Sequence, residues 1–367
     1  ETTEKEMEQQ SVSKVIKTFI QTTAAQCSVR GIAVCACVIT SVSGSAMAQI
    51  LPMDRLGGPG LEVNSPDLRV SGPPGDMRIA QASCSQKETV DIRRRIVDIA
   101  VQEWAFFGFS VADQTAPPPP LRRRNFVRRP WMDPAESERV AASIAGYWSV
   151  TPDGGWILER QNDFWKGPLG VGERWRDPWS AAFISWTLCE SGFSESSEFR
   201  RSINHRTYID QAIHARDDGN GNTAYVAYDI GEREIEPGDL LCSASRHGYR
   251  TLQDRRRQLG EGARTHCDIV VHVDADRNRI LGIGGNVLGR VSLKLMYAIP
   301  DPKNAQLHAE VGRGRRAVFA HLKLTAASSD SAGLLYSPSI QALSVDPARR
   351  SALEGMLQIR LPYPDGS

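Results

Sequence analysis

A chain of 367 residues with 41% hydrophobic and 24% charged side chains has the composition of a globular protein with a sizeable core. Its formal net charge of +1 gives no polyanion-binding footprint, so no nucleic-acid partner is expected.

Residues 1–48 read as an export signal with a long leader. Lys14, Lys17 and Arg30 precede the apolar run GIAVCACVITSV, which ends in the small residues of SGSAMA before Gln49. The run is shorter than the ~20 apolar residues a membrane span needs, so no stable span is expected once the signal is removed. An exported, periplasmic or extracellular location follows. The next stretch, 49–86, is rich in Gly, Pro, Ser and Asp without a period and reads as a flexible spacer.

From about Lys87 the pattern turns helical, with Val90, Ile92, Ile96, Val97, Ile99, Ala100, Trp104 and Phe107 at spacings of three and four. A Pro/Arg-rich basic insertion at 116–130 interrupts it. Asp133-Pro134 starts a second helix carrying Val140, Ile144 and Trp148. DPWSAAFISW predicts a third, roughly Ser180 to Glu190, nearly all apolar with one hydroxyl at its mouth. Ser180 there reads first as a helix cap, with a nucleophile beside unpaired backbone N–H groups as the alternative. NHRTYIDQAI reads as a further helix, with His205 and Tyr208 three apart on one face. After Gly221 strands take over: AYVAYDI, GDLLCS, HCDIVVHVD, RILGIGG, RVSLKLMYA and AVFAHLKL. Helices first and strands later predict an α+β domain over 87–324 with an antiparallel sheet. The C-terminal extension, 325–367, carries one short helical signal after Asp346-Pro347.

In HCDIVVHVD, alternation puts Cys267, Ile269, Val271 and Val273 on one face and His266, Asp268, His272 and Asp274 on the other. A metal site is not expected. His266 and Asp268 are roughly 6.6 Å apart along a strand but His272 is roughly 20 Å from His266, and neither HExxH nor a paired CxxC occurs. GIGGN leads into a strand rather than a helix, so it does not cradle a phosphate, and no cofactor is expected. Nucleophilic catalysis needs a nucleophile, a base and a group that orients the base. Ser180, His266 and either Asn286 or Asp268 could supply these.

The order EW-x-FFG at 103–108, PWSAAFISW, H-x-x-YI at 205–209, PGDLLC at 237–242, HCDIVV at 266–271 and GGN at 284–286 resembles the bacterial family of domain of unknown function 2272, over roughly residues 88–300. That family is in turn similar to the CHAP and NlpC-type amidases and endopeptidases. These are papain-like enzymes that cut amide bonds in peptidoglycan, the substrate class the resemblance implies. It also implies a papain-like fold, with a three-helix half on a small antiparallel sheet. Carried over by position, Ser180 stands where those enzymes have a nucleophilic cysteine, His266 takes the place of the general base, and Asn286, with Asp268 as rival, orients it. Trp179, His205 and Tyr208 would line the substrate cleft. A serine hydroxyl is too weak an acid to be deprotonated by a helix end, so His266 would have to act as a true base. The other reading is an inactive module of the same fold that binds wall peptides or a protein partner. Cys189 is half a helical turn from Ser180 and cannot replace it. Cys242 and Cys267 read as core thiols or as a disulfide pair.

Overall fold

The computed structural model describes residues 50–363 apart from 58–60, 62, 85–89, 116–131, 220, 246–247, 301–306 and 310–315. The expected export signal, 1–48, and the basic insertion, 116–130, lie outside the described residues.

In chain order the helices are α1 (Ile92–Phe106), α2 (Pro134–Trp148), α3 (Gly154–Trp165), α4 (Ser180–Glu190), α5 (His205–Asp218), α6 (Leu252–Arg256), α7 (Pro338–Gln341) and α8 (Pro347–Leu357). The strands are β1 (Val70–Ser71), β2 (Arg78–Ile79), β3 (Val111–Asp113), β4 (Tyr225–Tyr228), β5 (Leu240–Ser245), β6 (Thr265–Asp274), β7 (Arg279–Val287), β8 (Arg290–Pro300), β9 (Leu307–Ala309) and β10 (Arg316–Leu324). Helix starts follow their caps. Asp91 accepts from the Arg94 amide (2.9 Å) before α1, and Asp133 from the Glu136 amide (3.0 Å) before α2, where Pro134 occupies the first turn. Val90, read as part of the first helical stripe, precedes that cap and is exposed.

The fold is mixed α+β. Eight strands form one sheet in the order β3-β8-β7-β6-β5-β10-β4, with β9 also paired to β8. It is larger than the small sheet expected, and it is mostly rather than wholly antiparallel, because β3 runs parallel to β8. Helices exceed the expected three-helix half: α3 forms where no periodic pattern was read.

One sheet face carries the main core, where Cys242, Cys267, Ile269, Ile283 and Leu293 meet the helices; the other holds a smaller cluster around Leu241, Val270, Ile280 and Met296. All eleven residues of α4 are buried, as an evenly apolar helix requires. Each of Phe183, Ile184, Trp186 and Leu188, wholly buried, contributes about 1.5–3 kcal/mol by leaving water. The expected alternation of β6 fails at its far end. A register shift between Val270 and His272 turns the strand over, so that Val273 packs with the smaller cluster and not with Cys267 and Ile269.

The stretch 49–86 is not a spacer where it is described. Ile50 and Cys84 join the main core, and Arg55 bonds Glu103 (2.5 Å) and Asp67 (2.8 Å). Three anchors converge on the last turn of α4. Arg69 pairs with the buried Glu190, the Asn64 amide donates to the same carboxylate (2.8 Å), and Cys84 is disulfide-bonded to Cys189. Composition misled because a Gly/Pro-rich segment takes its order from distant partners. The C-terminal extension also belongs to the fold: Leu334, Ile340, Leu343, Leu353 and Leu357 are buried in the core, and Arg279 donates to the Leu357 carbonyl (3.0 Å).

Candidate active site

Trp179, not Ser180, is the cap residue of α4; Ser180 is the first helical residue, and no side chain caps this end. Its hydroxyl lies instead 2.6 Å from Nε2 of His205, the first residue of α5. The cap reading of Ser180 therefore gives way to a side-chain pair closed between two helix N-termini.

The partners of His205 fix its tautomer. The Cys267 backbone N–H donates to its Nδ1 (3.3 Å), and the Tyr208 hydroxyl meets the same nitrogen. A backbone donor requires an unprotonated acceptor, so the ring proton sits on Nε2 and is donated to Ser180 Oγ. Burial, followed by the charges of Tyr225 and Asp268, holds the Tyr208 hydroxyl well above its ordinary pKa. It stays neutral and serves as the second donor to Nδ1. His205 and Tyr208, expected to line a cleft, are both buried behind Ser180.

His266 stands beside this pair, its ring centroid 5.2 Å from that of His205. Its Nε2 lies 2.9 Å from Asp268 Oδ1, and Lys294 Nζ lies 2.7 Å from Asp268 Oδ2. Burial alone would raise the Asp268 pKa, but the charges of Lys294 and His266 and their hydrogen bonds hold it well below the usual carboxylate range. The carboxylate is thus ionised and accepts only, so Nε2 of His266 carries a proton toward it, and Nδ1 is the nitrogen that becomes basic when the ring loses its charge. The two histidines present opposite faces to chemistry: His205 offers an N–H and His266 a lone pair.

Glycines make this geometry possible. Lys294 on β8 and Asp268 on β6 are separated by β7, and strands lie about 4.8 Å apart. Lysine reaches across because Gly282 pairs opposite Lys294 and Gly284 lies beside Asp268. A Cβ at Gly284 would run into the Asp268 carboxylate and come within 2.8 Å of His266 Nε2. One at Gly285 would come within 2.9 Å of Trp179 Cζ3 and 2.6 Å of Phe183 Cβ. The run GIGGN is thus clearance for buried side chains.

Asn286 makes no side-chain hydrogen bond to a described residue, and Asp268 alone of the two rivals bonds His266. Asn286 adopts a left-handed backbone (φ 57°) at the β7–β8 hairpin. With Trp179 it lines a cavity of about 220 Å³, together with Trp165, Trp175 and residues of α2. Sequence reasoning missed Lys294; the available signal was a lysine between Leu293 and Leu295 in an otherwise apolar strand. Cys242 and Cys267, cross-strand partners on β5 and β6, are disulfide-bonded. With Cys84–Cys189 this leaves every described cysteine paired and no thiol beside Ser180. Among the described residues, no cluster of three or more His, Cys, Asp or Glu could hold a metal ion, and no helix is long and apolar enough to cross a membrane.

Residues 139–324, half of the chain, match the family described as uncharacterized protein conserved in bacteria, DUF2272. The match reaches through β10 and leaves out the EW-x-FFG segment near residue 103, whose Glu103 instead anchors Arg55. No curated protein and no solved structure matches the chain.

Proposed function

The chain belongs to the DUF2272 family, and we propose that it is an exported hydrolase of amide bonds in peptidoglycan, with Ser180 as nucleophile in a papain-like arrangement. The observation that carries this reading is the meeting of a helix-terminal hydroxyl, a histidine donor and a carboxylate-held histidine in one place. The likeness of PWSAAFISW and HCDIVV to the nucleophile helix and histidine strand of CHAP and NlpC-type enzymes supports it. The two disulfides fit an oxidising compartment.

Ser180 Oγ attacks the amide carbonyl while His266 Nδ1 takes its proton, and Asp268 stabilises the imidazolium that forms. The first N–H groups of α4 face the developing oxyanion. His266 then protonates the leaving amine, and the C–N bond breaks. Water attacks the resulting ester, giving its proton to His266, which returns it to Ser180 Oγ as the C–O bond breaks and the carboxylic acid leaves. His205 keeps Oγ in place by donating to it. Ser180 must turn its hydroxyl hydrogen toward His266 for the first step.

The second reading is a module of the same fold that binds wall peptides or a protein partner without cutting. The hydroxyl bonds His205 and not His266, and Ser180 is only 7% exposed; both observations favour it. Incubating the protein and Ser180→Ala with peptidoglycan, and measuring newly freed amines and carboxylates, decides between them. Release by the wild type alone supports hydrolysis; equal silence of both sinks it.

A further inference from the structure

Two aspartates of α1 meet the segment that returns after β10. Asp91, the cap of the helix, accepts from the hydroxyls of Ser329 and Ser331 and from the Arg94 amide. Burial alone would raise its pKa, but these bonds hold it below the ordinary carboxylate value. Asp98 lies two helical turns further along the same side and has similar neighbours without the bonds. Its Oδ2 is 3.4 Å from Nε of Arg94, while Oδ1 is buried with no hydrogen-bond partner, as are the hydroxyls of Ser337 and Ser339. Ser337 precedes α7, the place from which a serine ordinarily bonds the amides of its own helix, yet it makes no such bond. Its hydroxyl faces Asp98 instead. Three unsatisfied polar atoms thus lie on α1, on α7 and at the start of α7, where the two helices pack together, and each is unfavourable as it stands.

The surroundings favour a neutral carboxyl. Residues 332–345, which cover Asp98, carry no charged side chain, and Tyr336, their one titratable group, is exposed. On α1, Arg94 attracts the carboxylate but is largely in solvent, Arg95 is committed to the Glu190 carbonyl (2.8 Å) and its carboxylate, and Asp91 repels. The strands packed against α1 have their buried charges paired among themselves, Asp268 with Lys294 and Asp274 with Arg279. Burial therefore outweighs Arg94 and pushes the Asp98 carboxyl up to about 7.

We infer that Asp98 is a proton-operated latch: neutral, it donates from Oδ1 to Ser337 and the C-terminal segment from Leu334 to Leu357 docks, whereas loss of the proton leaves a carboxylate under an uncharged cover and the segment lifts. The latch does not rest on the hydrolase reading. It bears on the same site, because the turn Leu334–Tyr336 packs against β6, the strand of His266 and Asp268. The docked state holds its proton more tightly than the lifted one, so docking is strongest below the ordinary carboxylate value of 3.8 and is lost as pH rises through about 7.

Backbone hydrogen exchange of the full chain at pH 5 and pH 8, corrected for intrinsic exchange, tests the latch. Protection of residues 334–357 should fall about 10²-fold between the two, while that of β5 to β7 holds. Asp98→Asn, which keeps a neutral donor in the same shape, should remove the fall. Equal protection at both pH values, a fall shared by the whole sheet, or a fall that persists in Asp98→Asn would overturn the inference. A second measurement needs no variant: the carboxyl carbon of Asp98, followed by nuclear magnetic resonance, should titrate between pH 6 and 8. A midpoint below pH 5, as when a bound water rather than a proton joins Asp98 to the serines, would overturn it equally.

Discussion

Two buried aspartates of this sheet invite the same description and do different things. Asp239, at the entrance to β5, bonds His321 (2.8 Å), Arg93 (3.0 Å) and Lys323 (3.2 Å) and accepts from the Leu324 and Glu236 amides. Asp268, on β6, bonds His266 and Lys294. Burial would raise the Asp239 pKa, but His321, Lys323 and Arg93 together hold it below the ordinary value, as Lys294 and His266 do for Asp268. The partners of Asp239 come from α1, β10 and its own turn, and His321 is wholly buried, so this cluster ties elements together. Asp268 instead holds a histidine beside a hydroxyl, with glycines clearing the space. An Asp–His–cation group is a structural device by default; its neighbours make it a site.

That contrast can be broken by substitution. Asp239→Ala removes the carboxylate that His321, Arg93, Lys323 and the Leu324 amide share, leaving only Glu236 beside the two cations, and should cost about 3–5 kcal/mol of stability, read from the denaturation midpoint. His266→Ala should lower peptidoglycan turnover about 10²–10⁴-fold, with a smaller shift of that midpoint. Equal loss of stability in both variants would erase the distinction between the two aspartates. Gly284→Ala drives a methyl group into Asp268 and His266. It should cost about 1–3 kcal/mol and at least tenfold in turnover, so a neutral result would remove the clearance argument.

The smallest effect expected is the most specific. The Lys294 charge opposes formation of the His266 imidazolium, so Lys294→Met makes protonation easier. The acid limb of the kcat/KM profile should then move to higher pH by about one unit, equivalent to about 1.4 kcal/mol. The sign for stability follows from the lowered Asp268 pKa. The contribution is full above the unfolded carboxylate value, lost as pH falls through the native one, and in Lys294→Met lost at higher pH than in wild type. An unmoved acid limb in that variant would make Lys294 purely structural.

Local patterns carried much of the fold. Six of the seven described strands after Gly221, all but β9, announced themselves by alternation between turn residues, and α2, α4 and α8 by Asp-Pro starts or an unbroken apolar run. Patterns within one segment could not show what distant residues supply. The order of 50–84 depends on Glu190 and Cys189, more than a hundred residues on. The pairing of Ser180 with His205 joins two helix ends that no spacing rule connects. Lys294 was hidden because its meaning lies two strands away, and the glycines because an absent side chain is read only against what fills the space. Asp268 was legible as a rival to Asn286 from strand alternation alone; choosing between them required the β7–β8 hairpin to turn Asn286 toward the cavity.

The central claim is that Ser180 is a nucleophile activated by His266. Mass spectrometry of the protein after exposure to a fluorophosphonate, which phosphonylates activated serine hydroxyls, tests it most directly. One added phosphonyl group located on Ser180, and absent in His266→Ala, is the predicted result. An unmodified Ser180 in the wild type, or equal modification with and without His266, would contradict it.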